Sequence, residues 1–413
     1  MTPSAYIDRN RHHLLELVRE LVAIPTVNPP GDLYGSVTEL LAARLQGLGL
    51  ATKRYAVPKA LIKKTLPAGD PLLPRYNVLG KWRVAGARKT VHFNSHYDVV
   101  PVSGKWKHGS PFSGAVQGGW IYGRGTADMK GSTASLLFAL EALRACGVTP
   151  RVNVEVSCVA DEETDSALGT GWLVKHAPLE ADYAIVMEGG EGKSVCCGHN
   201  GVCWLKVTVH GLAAHGSQPQ EGINALEKMS ALILALEPYK KRLAQRPFTN
   251  PAGKKMIGTI NVGGVFEGGD GQKINTVPAK ASFTIDRRII ANEDQVKAEK
   301  ELRAFLLAAA KKIPDCHITI DKISENYPCY FPPTHPFFGT MAQIVGDVRR
   351  EKTEFVVSSG FNDMYFFAAK MKIPTIGYGP GGDNCHAVDE RASVKELLDS
   401  AKIYAELLTT FAG

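Results

Sequence analysis

Predicted strands and helices alternate in the N-terminal and C-terminal parts of this 413-residue chain, and a block with a different order of elements separates these two parts. Apolar strands are predicted at Thr90–Phe93, Arg151–Val159 and Ala184–Met187, with a further strand, Ile373–Tyr378, near the C-terminus. Such alternation is typical of a doubly wound α/β sheet, here with strands of mixed direction. The chain is also longer than one hydrophobic core usually organises, so two domains are expected.

The middle block has the order β-α-β-β-α-β, which is the ferredoxin-like pattern. It predicts an α+β domain over residues 201–322, inserted into a discontinuous catalytic domain of residues 1–200 and 323–413. Its predicted elements are the strands Trp204–Val209, Met256–Val265, Val277–Ile289 and His317–Ile320 and the helices Ala225–Leu236 and Gln295–Lys311. The two middle strands flank a predicted Gly-rich turn.

Three helices are predicted in the first 150 residues. Apolar residues at helical spacing predict the first over Tyr6–Ala23, and the others are predicted over Val37–Leu48 and Ser132–Ala145. The last of these is apolar nearly all round and should be buried. Residues 55–77 are rich in Pro and Lys without a clear period, which indicates a long loop or an insertion.

Composition argues against several classes of function. The net charge is +7, but the basic runs are short, so a nucleic-acid-binding face is not expected. The sequence has no run of 18 apolar residues, so a membrane span is not expected. The first residues lack the apolar core of a signal peptide. Eight cysteines without any C-x-x-C spacing indicate reduced thiols in a cytoplasmic protein.

Histidine or acidic side chains follow each predicted strand of the α/β part. His96 follows the first strand, Glu162 and Glu163 follow the second, and Glu188 follows the third. A Gly-rich loop after the last strand leads to His386, and Asp128 opens the apolar helix. Because ligands bind beyond the carboxyl ends of the strands in open α/β sheets, we expect these groups to converge at one edge.

Two imidazoles and three carboxylates are suitable ligands for a pair of divalent ions such as zinc, with manganese or cobalt possible. Asp98 lies two residues after His96, on the same face of an extended segment, where it can accept the second ring N–H. Glu162 and Glu163 are adjacent and cannot point the same way on a strand. One can bind metal while the other, acting as general base, holds the water.

Three segments of the chain resemble the signatures of the M20 metallopeptidase family. This family includes acetylornithine deacetylase, succinyl-diaminopimelate desuccinylase, aminoacylase and glutamate carboxypeptidase. The segments are His96-Tyr97-Asp98-Val99-Val100-Pro101, the run Tyr122-Gly123-Arg124-Gly125-Thr126-Ala127-Asp128-Met129-Lys130-Gly131, and Asp161-Glu162-Glu163.

The resemblance implies a role for each metal-site residue. Asp128 would bridge two metal ions, His96 and Glu188 would complete one site, and Glu163 and His386 would complete the other. Glu162 would be the general base and Asp98 would orient His96. Glu188 stands where many members have Asp, although aminoacylase-like members have Glu there.

The resemblance extends to the inserted domain. The segment around His215 is similar to the one that carries the family's oxyanion histidine, and Asn275 and Arg288 resemble its substrate-carboxylate contacts. In several members this histidine reaches the partner subunit's site, so the resemblance implies a homodimer through the inserted domain.

The sequence therefore predicts a metal-dependent hydrolase that cleaves an amide bond in a small N-acyl amino acid or dipeptide with a free carboxylate. A deacylase is favoured, and a metallo-carboxypeptidase or dipeptidase of the same family is the alternative. Two other classes stay open: a thiol hydrolase that uses Cys385 with His386, and a non-catalytic binding protein on the same fold.

Overall fold

The computed structural model of the chain describes residues 1–189, 192–268 and 273–413. The chain forms two compact units. The first contains Met1–Gly198, Phe331–Val356 and Asn362–Gly413, and the second contains His199–Tyr330 and Val357–Phe361. Among the described residues, no helix combines the length and the apolar character that crossing a lipid bilayer requires.

The described strands are, in chain order, β1 (Ala51–Ala56), β2 (Tyr76–Trp82), β3 (Thr90–His96), β4 (Ala115–Gln117), β5 (Trp120–Tyr122), β6 (Asn153–Val159), β7 (Tyr183–Val186), β8 (Ser194–His199), β9 (Gly201–His210), β10 (Phe248–Thr249), β11 (Lys255–Met256), β12 (Thr259–Gly268), β13 (Lys280–Ile289), β14 (His317–Asn326), β15 (Cys329–Tyr330), β16 (Glu354–Ser358), β17 (Thr375–Gly377) and β18 (Arg391–Ser393). The described α-helices are α1 (Pro3–Arg9), α2 (Arg11–Val22), α3 (Tyr34–Gly47), α4 (Lys59–Thr65), α5 (Lys130–Ala145), α6 (Thr170–His176), α7 (Ala225–Leu234), α8 (Glu237–Ala244), α9 (Gln295–Ala310), α10 (Pro336–Arg349) and α11 (Val394–Thr410).

The first unit is built on a mixed sheet in which β1, β2, β6, β3, β7, β17 and β8 lie side by side in this order. Strands β6, β3, β7 and β17 are parallel to one another. Strands β1, β2 and β8 add antiparallel pairs on the two sides of this parallel centre. Every residue of β3 is buried, as expected for a central strand covered on both faces. The predicted α/β fold with a mixed sheet is confirmed.

The second unit is a four-stranded antiparallel sheet with the order β12, β13, β9, β14. The helices α7 and α9 follow β9 and β13 in the chain, so the element order is the predicted β-α-β-β-α-β, and the strand order is that of a ferredoxin-like domain. A core that includes Leu205, Leu232, Phe283 and Leu302 joins helices and sheet. The Gly-rich turn predicted after β12 includes residues 269–272, which lie outside the described residues.

Some local predictions were wrong. The segment 55–77 is not a continuous loop, because it contains α4, which begins directly after Pro58, and the ends of β1 and β2. The single helix predicted over Tyr6–Ala23 is two helices, with Asn10 between α1 and α2. Both faces of β6 are buried, because Glu155 and Ser157 are enclosed as fully as Val154 and Val156 on the opposite face.

Candidate metal centre

Six acidic and imidazole side chains of the first unit lie in two adjoining groups. In one group, ligand atoms of His96, Glu162 and Glu188 lie within 4.8 Å of one another. In the other, the same limit holds for Asp128, Glu163 and His386. The structure thus brings together all the residues of the first unit that the sequence predicted as metal ligands, together with the predicted base.

The sheet explains why residues so far apart in sequence converge. His96 is the last residue of β3, Glu162 and Glu163 form a short 3-10 turn soon after β6, and Glu188 follows β7. These three strands are neighbours and parallel, so their carboxyl ends lie at the same edge. Asp128 comes from the segment before α5, in the run Tyr122–Gly131.

Asp128 lies between the two histidines. Its Oδ1 atom is 3.1 Å from Nε2 of His96, and its Oδ2 atom is 3.2 Å from Nε2 of His386. Nε2 of His386 is also 3.1 Å from Oε2 of Glu163. A carboxylate that presents one oxygen to each of two imidazoles is placed to bridge a pair of cations.

The hydrogen bond of His96 determines its tautomer. The nearest acceptor to Nδ1 is the backbone carbonyl of Asp98 at 3.0 Å, whereas the Asp98 carboxylate is 3.5 Å away. A carbonyl oxygen only accepts, so Nδ1 carries the proton and the lone pair of a neutral ring lies on Nε2. That lone pair faces the Asp128 carboxylate, an arrangement that a cation between the two atoms stabilises.

The Asp98 carboxylate also fixes the turn that carries the two glutamates. Its Oδ1 accepts from the backbone N–H of Glu162 at 3.1 Å, and its Oδ2 accepts from that of Glu163 at 3.2 Å. The buried Asn28 amide donates to the same carboxylate and to Asp161. The turn directs Glu162 into one group and Glu163 into the other, which separates the two side chains as the sequence predicted.

Crowded negative charge perturbs the ionisation of the cluster. Burial, together with the charge of Asp128, raises the pKa of Glu188 to about 8. Burial and then Glu188 raise the pKa of Glu162 well above its usual value. Burial opposes ionisation of Asp128, but hydrogen bonds from His386 and His96 outweigh it, and the pKa of Asp128 lies below its ordinary value. Hydrogen bonds to Asp128 and Glu163 raise the pKa of His386 to about 10.

The residues present fit a pair of divalent ions. Imidazole nitrogens and carboxylate oxygens are the donors that zinc, cobalt and manganese accept. The Oε2 atom of Glu188 is buried and has no hydrogen-bond partner among the described residues. Buried polar atoms are nearly always bonded, so this oxygen is available to a cation.

Glu390 is a buried residue near the centre that the sequence reasoning missed. Its Oε1 accepts from the backbone N–H groups of Gly125, Ala127 and Asp128 at 2.9, 3.0 and 3.2 Å. Its Oε2 accepts from the Arg124 guanidinium at 2.5 Å, and both side chains are almost fully buried. Glu390 thereby holds the backbone that presents Asp128. Its position four residues after His386 was the only signal in the sequence.

Asp363 is a second residue that was missed. It accepts hydrogen bonds from the hydroxyls of Ser166 and Thr170, the latter at 2.6 Å. Burial raises the pKa of Asp363 to about 6, and its charge contributes to the raised pKa values of Glu162 and Glu188. No spacing or strand end in the sequence distinguishes it from an ordinary loop aspartate.

The other predicted residues belong to the second unit. The exposed His215 ring is fixed through Nδ1 by the Ser217 hydroxyl at 2.7 Å. The backbone of His215 and Gly216 pairs with Thr276 and Asn275, including a hydrogen bond from Gly216 N–H to the Asn275 carbonyl at 2.7 Å. The structure thus brings His215 and Asn275 together. Arg288 lies on β13, where its Nε donates to Asp286 at 3.0 Å.

A mixed α/β sheet that presents this donor set at its carboxyl edge, with a ferredoxin-like insertion, is the architecture of a metal-dependent hydrolase. The sequence profile described as Peptidase family M20/M25/M40 matches residues 92–410. The chain belongs to this family, as the three resembling segments indicated, and it is an enzyme of the metal-dependent amidohydrolase and peptidase class.

Similar proteins span nearly the whole chain. A succinyl-diaminopimelate desuccinylase of Methylocella silvestris is 28% identical, covering 97% of this chain and 98% of its own length. Aminoacylase-1 of Sus scrofa is 26% identical, covering 97% and 96%. The solved structure of an M20 family metallo-carboxypeptidase from Sulfolobus solfataricus superposes with a TM-score of 0.73 at 21% identity, covering 96% of this chain and 98% of that one.

Proposed function

We propose that this chain hydrolyses the amide bond of a small N-acyl amino acid with a free carboxylate, using two divalent ions, with zinc favoured. The observation that carries this proposal is the position of Asp128, whose two carboxylate oxygens each face a histidine. His96 and Glu188 would hold one ion, and Glu163 and His386 would hold the other, with Asp128 shared. Bound ions would polarise the substrate carbonyl and lower the pKa of water.

Glu162 is the group that we assign to proton transfer. Its Oε2 lies 4.0 Å from Nε2 of His96, so it borders the centre. Burial raises its pKa, which allows a carboxylate to hold a proton between its removal from water and its transfer to the departing amine. Its neighbour Glu163 contacts His386 instead, and is therefore assigned to metal binding.

The variants Glu162→Gln and Glu163→Gln form a matched pair that tests these assignments. Glu162→Gln should lower kcat by about 10²–10⁴-fold and still bind two zinc ions per chain. Glu163→Gln removes a charged ligand, so it should weaken zinc binding together with activity. Full turnover by Glu162→Gln, measured at saturating zinc, would refute its role as the base.

His215, Asn275 and Arg288 are assigned to the substrate. The Ser217 contact at Nδ1 leaves Nε2 of His215 available to an oxyanion, and a guanidinium can hold a carboxylate by two parallel hydrogen bonds. His215→Ala should therefore lower kcat strongly. A change in KM alone would contradict the oxyanion role.

The alternative within the family is a dipeptidase or metallo-carboxypeptidase. The curated relatives described above favour deacylation, since they are named a desuccinylase and an aminoacylase, whereas the similar structure is that of a carboxypeptidase. A panel of N-acetyl, N-succinyl and dipeptide substrates on zinc-loaded enzyme separates the two activities. The highest kcat/KM on dipeptides would overturn the deacylase proposal.

The thiol-hydrolase hypothesis is not favoured. Desolvation of the thiol by its neighbours and the nearby charge of Asp128 raise the pKa of Cys385, an exposed residue, to about 12, which disfavours the thiolate. Chelators should therefore abolish activity, and the Cys385→Ser variant should keep it. A non-catalytic role is not favoured either, because every predicted metal ligand is present and converges.

We also propose a homodimer formed through the second unit. Strand β12 is an edge strand of its sheet, and it exposes Phe266 (78%) and Val265 (52%). An exposed apolar edge strand can pair with another chain. Phe266→Asp should convert a dimer to a monomer in light scattering, whereas Val116→Asp in the first unit should not. A monomeric wild-type protein would contradict this proposal.

A further inference from the structure

The second unit contains a pocket of about 470 Å³ whose charged wall residues are all basic. Lys254 ends the turn of the β10–β11 hairpin, Lys255 begins β11, and Arg288 comes from β13. Among the described residues that line this pocket, none is acidic. A volume of this size falls in the range of small-molecule sites, about 300–1,000 Å³, and exceeds what one carboxylate fills.

The two lysines have no counter-ion among the described residues, whereas several other cations of the second unit are paired. Lys206 pairs with Glu267 and Arg287 pairs with Glu293, while Arg288 is partly neutralised by Asp286. Neither Lys254 nor Lys255 forms an ion pair within the described part of the chain. Positive charge that is concentrated in a concavity raises the local concentration of anions.

A buried amide in the wall also has an unused hydrogen-bonding position. Asn200 is only 6% exposed, and its side-chain oxygen has no partner among the described residues. A half-turn of the amide exchanges its oxygen and its NH2 group, which places an N–H donor at that position. Because buried polar atoms are nearly always bonded, this wall position is suited to a polar ligand.

We propose that this pocket recognises a second anionic group, so that the substrate is an N-acyl amino acid with two carboxylates. This inference rests on the proposed function, in which Arg288 holds the first carboxylate. Lys254 and Lys255 then bind the second one, and Asn200 contributes a hydrogen bond. The second carboxylate belongs either to the acyl group or to the amino-acid side chain, and two pairs of substrates distinguish these sources.

The test compares substrates that differ in one charge. N-acetyl-L-glutamate is paired with N-acetyl-L-glutamine, and N-succinyl-L-alanine with N-butyryl-L-alanine. Wild-type enzyme should prefer the dianionic member of at least one pair. The double variant Lys254→Gln/Lys255→Gln removes two exposed ion pairs with the substrate, so it should reduce that preference in kcat/KM about three- to tenfold, which corresponds to about 0.7–1.4 kcal/mol.

The double variant Lys311→Gln/Lys312→Gln is the matched control, because it removes the same charge from exposed positions of the same unit. It should leave the preference within about twofold of wild type. Equilibrium binding of N-acetyl-L-glutamate to zinc-loaded Glu162→Gln protein, measured by calorimetry, gives a readout that is independent of turnover. Adding the Lys254→Gln/Lys255→Gln changes should weaken that binding by the same three- to tenfold.

The outcomes separate this inference from the proposed function. Equal kcat/KM within both substrate pairs, or a preference that the pocket variant retains, would overturn the second-carboxylate site while hydrolysis stands. If zinc-loaded enzyme hydrolyses none of the four compounds but the lysines still govern binding of N-acetyl-L-glutamate, the proposed reaction fails and the anion site remains.

Discussion

Removing the Glu390 carboxylate should damage both the stability of the first unit and its metal centre. Glu390 accepts three backbone N–H groups from the segment that ends at Asp128, and it is the partner of Arg124. In Glu390→Ala, the Arg124 guanidinium, with a side chain only 2% exposed, is left without its carboxylate. Breaking a buried ion pair in this way costs about 3–5 kcal/mol of unfolding free energy.

Two further variants determine the origin of that loss. Glu390→Ala combined with Arg124→Met removes both buried charges, so it should be less destabilising than Glu390→Ala alone. Glu39→Ala breaks an exposed ion pair with Arg54 and should cost about 0–1 kcal/mol. Urea unfolding of the metal-free proteins, followed by circular dichroism, measures all of these changes.

The same Glu390→Ala variant should also bind zinc more weakly, because the backbone N–H of Asp128 loses its acceptor. Changes to the partners that orient metal ligands typically cost 10–100-fold in metal affinity. Competition with a chromogenic chelator measures this affinity, with Glu39→Ala as control. An unfolding midpoint like that of Glu39→Ala, with unchanged zinc affinity, would refute the positioning role of Glu390.

Three more predictions concern the charged groups of the first unit. In the metal-free protein the pKa values of Glu188 and His386 are about 8 and 10, so both groups are protonated at pH 7 and must lose protons to bind an ion. Zinc binding at pH 7 should therefore release protons, and the affinity for zinc should rise with pH up to about 8–10. Calorimetry in buffers of different ionisation enthalpy measures the number of protons released, and binding without proton release would contradict this prediction. Asp161→Asn should lower the free energy of unfolding by about 3–5 kcal/mol, because it leaves the buried Arg75 guanidinium without its carboxylate at 3.0 Å, and a loss below 1 kcal/mol in urea unfolding would contradict this. His386→Ala should reduce zinc content to about one ion per chain in mass spectrometry, since the His96 group keeps its own donors, and two retained ions would exclude His386 as a ligand.

The sequence predicted those features that depend on local patterns. The strands β3, β6 and β7 are marked by short apolar runs, and the residues that follow them reach one sheet edge because the strands are parallel. Topology alone therefore places His96, Glu163 and Glu188 together. The ferredoxin-like order of the second unit is predictable for the same reason, because the pattern of apolar residues identifies each of its helices and strands locally.

Other features depend on contacts that leave no local signature. Glu390 supports Asp128 from 262 positions away, and in the sequence it is one acidic residue among many. The sequence does not predict helix α4, because Pro and Lys residues surround it and Ile62 is its one buried residue, which leaves no apolar period to recognise. In contrast, α11 has a regular buried stripe that includes Leu397, Ala401, Tyr404 and Leu408, and such periodicity is sufficient to predict a helix.

A crystal structure of the zinc-loaded protein, with anomalous data collected at the zinc edge, tests the proposed two-metal centre directly. Two anomalous peaks should appear about 3.5–4 Å apart, one beside His96 and Glu188 and one beside Glu163 and His386, with Asp128 between them. A single peak, or peaks at unrelated residues while His96 and His386 point to different regions, would contradict it.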